Sequence, residues 1–205
     1  AAPRHRALAP ASLGEAFDIL ASDDAALPVP RREADPAIIA ALYQALKAGR
    51  AIHVRYTSMS SGADEGQYIA PTAFTSDGEA VHLRAYAFKH AAYRNYLPMR
   101  IDVASDFAER ELDGPLPFDA DWHTLVRIAL RPKSGLSAAQ AEAVRREYGF
   151  TAPELVVTTR KALEFYFDRR WGLDLAAARL ERASTEYVPL TVEDGAAAAS
   201  PLAGR

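Results

Sequence analysis

An α+β fold is what this 205-residue sequence predicts, and three observations predict it. Apolar residues at Ile38, Ile39, Leu42 and Leu46 recur at helical spacing. Short alternating segments, which read as strands, then follow one another from Ala51 to Ala104. Beyond Gly114-Pro115-Leu116-Pro117 the pattern changes to strand, helix, strand, helix, the order of a small α+β layer.

Residues 1–34 read as a connector punctuated by Pro3, Pro10, Pro28 and Pro30, with a helical pattern only at Ser12–Leu20. The first residue is Ala, not Met, which reads as a sequence that begins mid-protein or has lost an N-terminal part. Asp35-Pro36 is an N-cap followed by proline at the first helical position, and Gly49 stops that helix. In Ala51–Tyr56, Ile52, Val54 and Tyr56 share one face, with His53 and Arg55 on the other. Ser58–Glu65 is polar and reads as a loop. Gln67–Phe74 reads as a strand in which Pro71 belongs at an edge or a bend. Ser76-Asp77-Gly78 turns the chain into a third strand, Ala80–Phe88. Tyr93–Pro98 and Arg100–Ala104 read as two more. Such short, closely spaced strands fit a small barrel or a strongly bent sheet.

In the second half, Leu125–Leu130 and Glu154–Arg160 read as strands. Ser137–Tyr148, capped by Ser137 and stopped by Gly149, and Ala162–Trp171 read as helices. Tyr187–Val192 is a last strand candidate. Residues 194–205 read as a disordered tail. The expected division is therefore a connector over 1–34, a first domain over 35–113, a second over 120–193, and the tail.

Composition narrows the function. The chain has no cysteine, which removes disulfides, thiolate catalysis and Cys-ligated zinc and fits a cytoplasmic location. No apolar run is long enough to span a bilayer. The histidines show no metal-ligand spacing, and there is no nucleophile elbow, P-loop or dinucleotide fingerprint. No cofactor and no enzymatic activity are expected. The net charge of −3 argues against a surface coated in nucleic-acid affinity, but not against one local basic pocket.

Such a concentration exists. Ala80–Ile101, AVHLRAYAFKHAAYRNYLPMRI, holds Arg84, Lys89, Arg94, Arg100, His82 and His90 and no acidic residue. Tyr86, Tyr93 and Tyr96 are interleaved with the cations. That mixture suits a site that grips a polyanion and stacks on flat groups. On the strand, His82, Arg84 and Tyr86 share a polar face, while Val81, Leu83 and Ala85 make an apolar one.

Four segments in order, AIHVRYTSMSSG from Ala51, YIAPTAF from Tyr68, SDGEAVHLRAYAF from Ser76 and YRNYLPMRI from Tyr93, resemble the WYL-domain family of bacterial transcription regulators. The name-giving Trp-Tyr-Leu is replaced here by Val81-His82-Leu83. The chain is more similar to the subgroup with a Tyr-x-Ser-Met-Ser loop, which includes regulators of phage defence and of DNA-damage responses. Residues 120–190 are similar in layout to the C-terminal extension of those regulators. The resemblance implies an SH3-like or Sm-like β-barrel, a ligand-sensing role, a homodimer, and an upstream winged-helix domain that reads operator double-stranded DNA outside this sequence.

It also implies a site. Arg84, Arg94 and Arg100 match positions the family uses for its effector, with His82 and Tyr86 beside Arg84. The alternatives are a solvated Arg84 and, for Arg100, a salt bridge to Asp102. Ser58 and Ser60 either hold phosphate oxygens or cap an ordinary turn. Tyr56 either stacks on a base or fills the core. Arg169 and Arg170 either border the partner's site in a swapped dimer or lie on a solvated face. Phe165, Tyr166, Phe167 and Trp171 read as core or dimer interface. The effector these residues fit is single-stranded DNA, with a small nucleotide or cyclic second messenger as the alternative. A ligand-free module meeting an acidic partner protein is the third reading.

Overall fold

The computed structural model describes residues 33–59, 61–62, 64–77 and 79–190. The expected helix Ser12–Leu20, the loop residue Ser60 and the tail 194–205 lie outside them. Helix α1, Pro36–Ala48, begins where Asp35 accepts the amide of Ala37 at 2.7 Å and ends at Gly49, whose φ of 64° is the left-handed conformation glycine adopts without strain. Ile38, Leu42 and Ala45 form its buried face.

That face covers a five-stranded antiparallel sheet. Its strands are β1 Ala51–Thr57, β2 Asp64–Ser76, β3 Val81–Ala87, β4 Ala92–Tyr96 and β5 Glu109–Arg110, in the order β4-β3-β2-β1-β5. Ile52, Val54, Ile69, Leu83, Ala85, Ala87, Tyr96 and Ile101 join the α1 residues in one core. Val81, expected on the apolar face, is exposed at the strand's start.

Several expectations are corrected here. The sheet does not close into a barrel: β4 and β5 are its two edges. β5 has only two residues, and an isolated bridge joins Tyr56 to Ile101. The expected strand Arg100–Ala104 is absent because the chain tightens into a one-turn helix at Pro98–Arg100. There the amides of Arg100 and Ile101 bond to the carbonyls of Leu97 and Pro98, leaving no extended run to pair. Pro71, expected at an edge or a bend, is not at an edge. It lies inside the central strand β2, where the register with β3 shifts between Pro71 and Ala73, and this bulge accommodates its missing N–H.

The second sheet has three antiparallel strands, β6 Thr124–Pro132, β7 Leu155–Arg160 and β8 Leu180–Pro189, in the order β7-β6-β8. Val126, Ile128 and Leu130 alternate into a core with Val144, Phe167 and Leu180. Val144 comes from helix α2, Ala138–Glu147, which opens on a capping box: Ser137 Oγ accepts the Gln140 amide and Gln140 Oε1 accepts the Ser137 amide. The expected helix Ala162–Trp171 is shorter. It splits into a one-turn helix, Lys161–Leu163, and helix α3, Glu164–Arg170. β8 starts seven residues earlier than the Tyr187 start expected, because Glu181, Arg182, Ser184 and Glu186 hide its alternation. Residues 191 and 192 lie outside the described set.

Candidate functional site

A cavity of about 970 Å³ opens where β3, β4 and the turns at Phe88–His90 and Pro98–Arg100 face α3. Six of the sequence candidates line it: Tyr56, Ser58, Arg84, Arg94, Arg100 and Arg169. Lys89 and His90, which belong to the basic segment but are not among the candidate site residues, line it too. The remaining wall includes Tyr93 and Tyr96, which belong to the aromatic set interleaved with the cations, and Asn95, Phe165 and Tyr166, which are not among the candidate site residues. Tyr93, Asn95 and Tyr96 flank Arg94 in sequence, and that proximity was the available signal. For Phe165 and Tyr166 there was none, because an aromatic pair on a helix reads equally as core.

The geometry combines flat rings with cations. Tyr56 meets Tyr96 edge-on at 4.8 Å, and Phe165 meets Tyr166 edge-on at 5.5 Å. Burial pushes the Tyr96 hydroxyl up to about 12, against the opposing charge of Arg94, so this ring stays neutral. Burial lowers the basicity of His90, and the charges of Arg94 and Lys89 lower it further.

The cations differ in how far they are already engaged. Lys89 pairs with Glu65. Arg169 stands 3.8 Å from Asp174 and is exposed. Among the described residues, neither Arg94 nor Arg100 has an ion-pair partner. Asp102, the alternative partner for Arg100, pairs instead with Arg55 at 3.3 Å. Ser58 lines the cavity while its Oγ accepts the amide of Ser61, so it also shapes its own turn.

The polar face of β3 is not open to solvent. Arg84 is buried, and its Nε and Nη2 donate to the two carboxylate oxygens of Asp119 at 2.8 and 2.7 Å. Its Nη1 donates to Asn95 Oδ1 at 3.3 Å, and its guanidinium lies 5.5 Å from the Tyr93 ring centre. His82 is 2% exposed, donates from Nε2 to Asp77 at 2.8 Å, and has its ring 4.2 Å from that of Tyr166. With Arg170 it lines a separate cavity of about 180 Å³. Arg170 also pairs with Glu79. Tyr86 lines neither cavity; its ring packs against Phe88 and Tyr93, each at 5.3 Å. Among the described residues no three of His, Cys, Asp and Glu come together to hold a metal ion. No described helix is long and apolar enough to cross a membrane.

Residues 37–105 match the WYL domain, and residues 125–194 match the C-terminal dimerization domain of the BrxR transcriptional regulator. Among curated proteins, the chain is 31% identical over 144 residues to the DNA-binding transcriptional repressor CapW of Escherichia coli (strain KTE188), covering 69% of this chain and 47% of that protein. It is 31% identical over 149 residues to CapW of Stenotrophomonas maltophilia, covering 72% of this chain and 49% of the relative. The chain thus spans about half the length of the curated relatives it matches. Among solved structures it is similar to proteasome accessory factor B/C of Arthrobacter aurescens at 15% identity and a TM-score of 0.37, covering 78% of this chain and 27% of that one, a likeness too loose to build on. With a WYL domain followed in order by a BrxR-type C-terminal dimerization domain, this chain belongs to the WYL-domain family.

Proposed function

We propose that this chain is the effector-sensing and dimerisation region of a cytoplasmic transcription repressor, and that its effector is single-stranded DNA. The observation that carries the reading is the pairing of Arg94 and Arg100, both without ion-pair partners among the described residues, with the rings of Tyr56, Tyr93, Phe165 and Tyr166 around one cavity. Arginine donates paired hydrogen bonds to phosphate oxygens, and unstacked bases lie on aromatic faces, each worth about 1–3 kcal/mol. Double-stranded DNA buries its base faces in its own stack and offers such a cavity only phosphates. Single strands accumulate during DNA damage and phage replication, so a repressor that senses them would respond to either event. The dimer would form through residues 125–194, and an upstream domain would hold the operator.

A second reading draws support from the cavity volume, which lies at the upper end of the roughly 300–1,000 Å³ typical of small-molecule sites. A cyclic dinucleotide carries the same two chemistries, phosphate and base. The test is a fluorescence anisotropy titration of this chain with a labelled single strand, its duplex, and a labelled cyclic dinucleotide at low salt. The strand is expected to bind best, and Arg94→Ala to weaken it. Equal affinity for strand and duplex refutes the single-strand reading, and preferred binding of the dinucleotide replaces it with the second.

A further inference from the structure

We infer that Asp119 is an internal competitor for the effector: it occupies Arg84 from behind, and a phosphate in the cavity binds by drawing Arg84 away from it. The inference rests on the sensor reading above and names how that site is regulated.

Arg84 belongs to two sites at once. It lines the 970 Å³ cavity, yet its Nε and Nη2 are fully committed to Asp119, which does not line it. The pair is nearly sealed, with side chains 6% and 8% exposed. An anion arriving from the cavity therefore meets a guanidinium whose charge is already matched. If the guanidinium turns to the phosphate, Asp119 is left as a buried carboxylate without its cation, which is strongly unfavourable unless it reaches water. Asp119 lies on the connection between β5 and β6, so that connection has to move for the exchange to be completed.

The same few side chains fasten the two sheets together. Asp119 also accepts the Trp122 amide on Oδ1, and its carbonyl accepts the His123 amide. Asn95, on the other side of Arg84, donates from Nδ2 to the carbonyl of Ala162, just ahead of α3, at 2.6 Å. Tyr93, beneath the guanidinium, donates from its hydroxyl to the carbonyl of Pro117 at 2.6 Å. Releasing Arg84 thus loosens residues 117–123 and the Asn95 tether together. By linkage, whatever the dimerisation region does to this seam feeds back on effector affinity by the same factor.

The experiment measures binding of a fluorescein-labelled oligothymidylate of about ten nucleotides, within the usual range of single-strand site sizes. The proteins are the wild-type chain, Asp119→Asn, Arg84→Gln and the double variant. Competition predicts that Asp119→Asn binds more tightly by about tenfold or more, or about 1.4 kcal/mol. It also predicts that this gain vanishes in the Arg84→Gln background, since a mere through-space loss of negative charge would persist there. In the wild-type chain, saturating oligothymidylate should speed hydrogen exchange at the Trp122 and His123 amides, a readout that needs no variant to fold. Unchanged or weaker binding by Asp119→Asn, a gain that survives Arg84→Gln, or slower exchange at those amides overturns the competition while leaving the sensor reading in place. If neither the wild type nor Asp119→Asn binds the oligonucleotide, both fall.

Discussion

Removing Arg94 and Arg100 together should change how binding depends on salt, and by an amount that can be worked out. Among the described residues, three cations at the cavity can meet phosphates without giving up a close carboxylate: Arg94 and Arg100, without ion-pair partners there, and Arg169, whose Asp174 contact is long at 3.8 Å and exposed. Each phosphate neutralised on a single strand steepens the slope of log K against log salt by about 0.7. Three contacts then give a slope near −2, which is roughly a twentyfold loss of affinity between about 50 and 200 mM salt. Arg94→Ala with Arg100→Ala leaves one contact, a slope near −0.7 and a loss of only about threefold across the same range. Anisotropy titrations of a labelled single strand at four or five salt concentrations measure both slopes. A double variant with weakened binding but an undiminished slope would refute the reasoning, because the two arginines would then act on the fold and not on phosphates. A wild-type slope near zero would refute it more directly.

Leu42→Ala should destabilise the chain by about 3–5 kcal/mol, since Leu42 is fully buried between α1 and the first sheet; urea unfolding that shows a loss below about 1 kcal/mol would contradict that packing. The Asp77–His82 contact should give an acid-dependent stability. Burial raises the Asp77 carboxyl, but hydrogen bonds from His82 and from the Glu79 and Ala80 amides outweigh it and hold it at about 2. A carboxyl depressed in the folded state stabilises fully above its unfolded value of about 4 and loses that contribution as pH falls toward 2. Urea midpoints across that window should therefore fall more steeply for the wild type than for Asp77→Asn, and parallel curves would remove the assignment. Gly66→Ala would place a Cβ 2.6 Å from His53 Nε2, on a ring held by Asp106 at 2.7 Å and tilted against Tyr68. A loss of about 1–3 kcal/mol is expected. It should disappear in a His53→Ala background; a loss that persists there traces to the backbone instead.

Much of the first sheet was legible because its signals are local. The cap at Asp35, the stop at Gly49 and the alternation in Ala51–Tyr56 depend on neighbours only a few residues away. What failed required knowledge of distant partners. Pro71 reads as an edge or a bend because a proline cannot serve a regular ladder, and only the pairing with β3 decides between them: a bulge there lets a central strand keep it. The tail of the basic segment looked extended because Ile101, Val103 and Ala104 alternate with polar residues, whereas Pro98 starts a turn that places Arg100 at the cavity. β8 escaped because an alternation carried by Arg, Glu and Ser leaves no apolar period to read.

The candidate site follows the same division, and the division bears on how the site works. Periodicity on β3 correctly put His82 and Arg84 on one face, opposite Leu83 and Ala85. It could not say what covers that face, because Asp119 lies 35 residues further on and Tyr166 is further still. A sequence read alone therefore finds a row of cations and infers an open anion site. Burial changes its meaning: a cation exposed on a strand is open to whatever anion arrives, whereas Arg84 already holds Asp119 in a nearly sealed pair. Among the described residues Arg94 and Arg100 have no such prior commitment, so on the proposed reading they would make the first capture of a phosphate and Arg84 the slower step that follows. Splitting attraction from exchange in this way would let a site bind its ligand through surface charge, yet answer to it only when the ligand reaches Arg84, whose partner Asn95 also ties β4 to the carbonyl of Ala162.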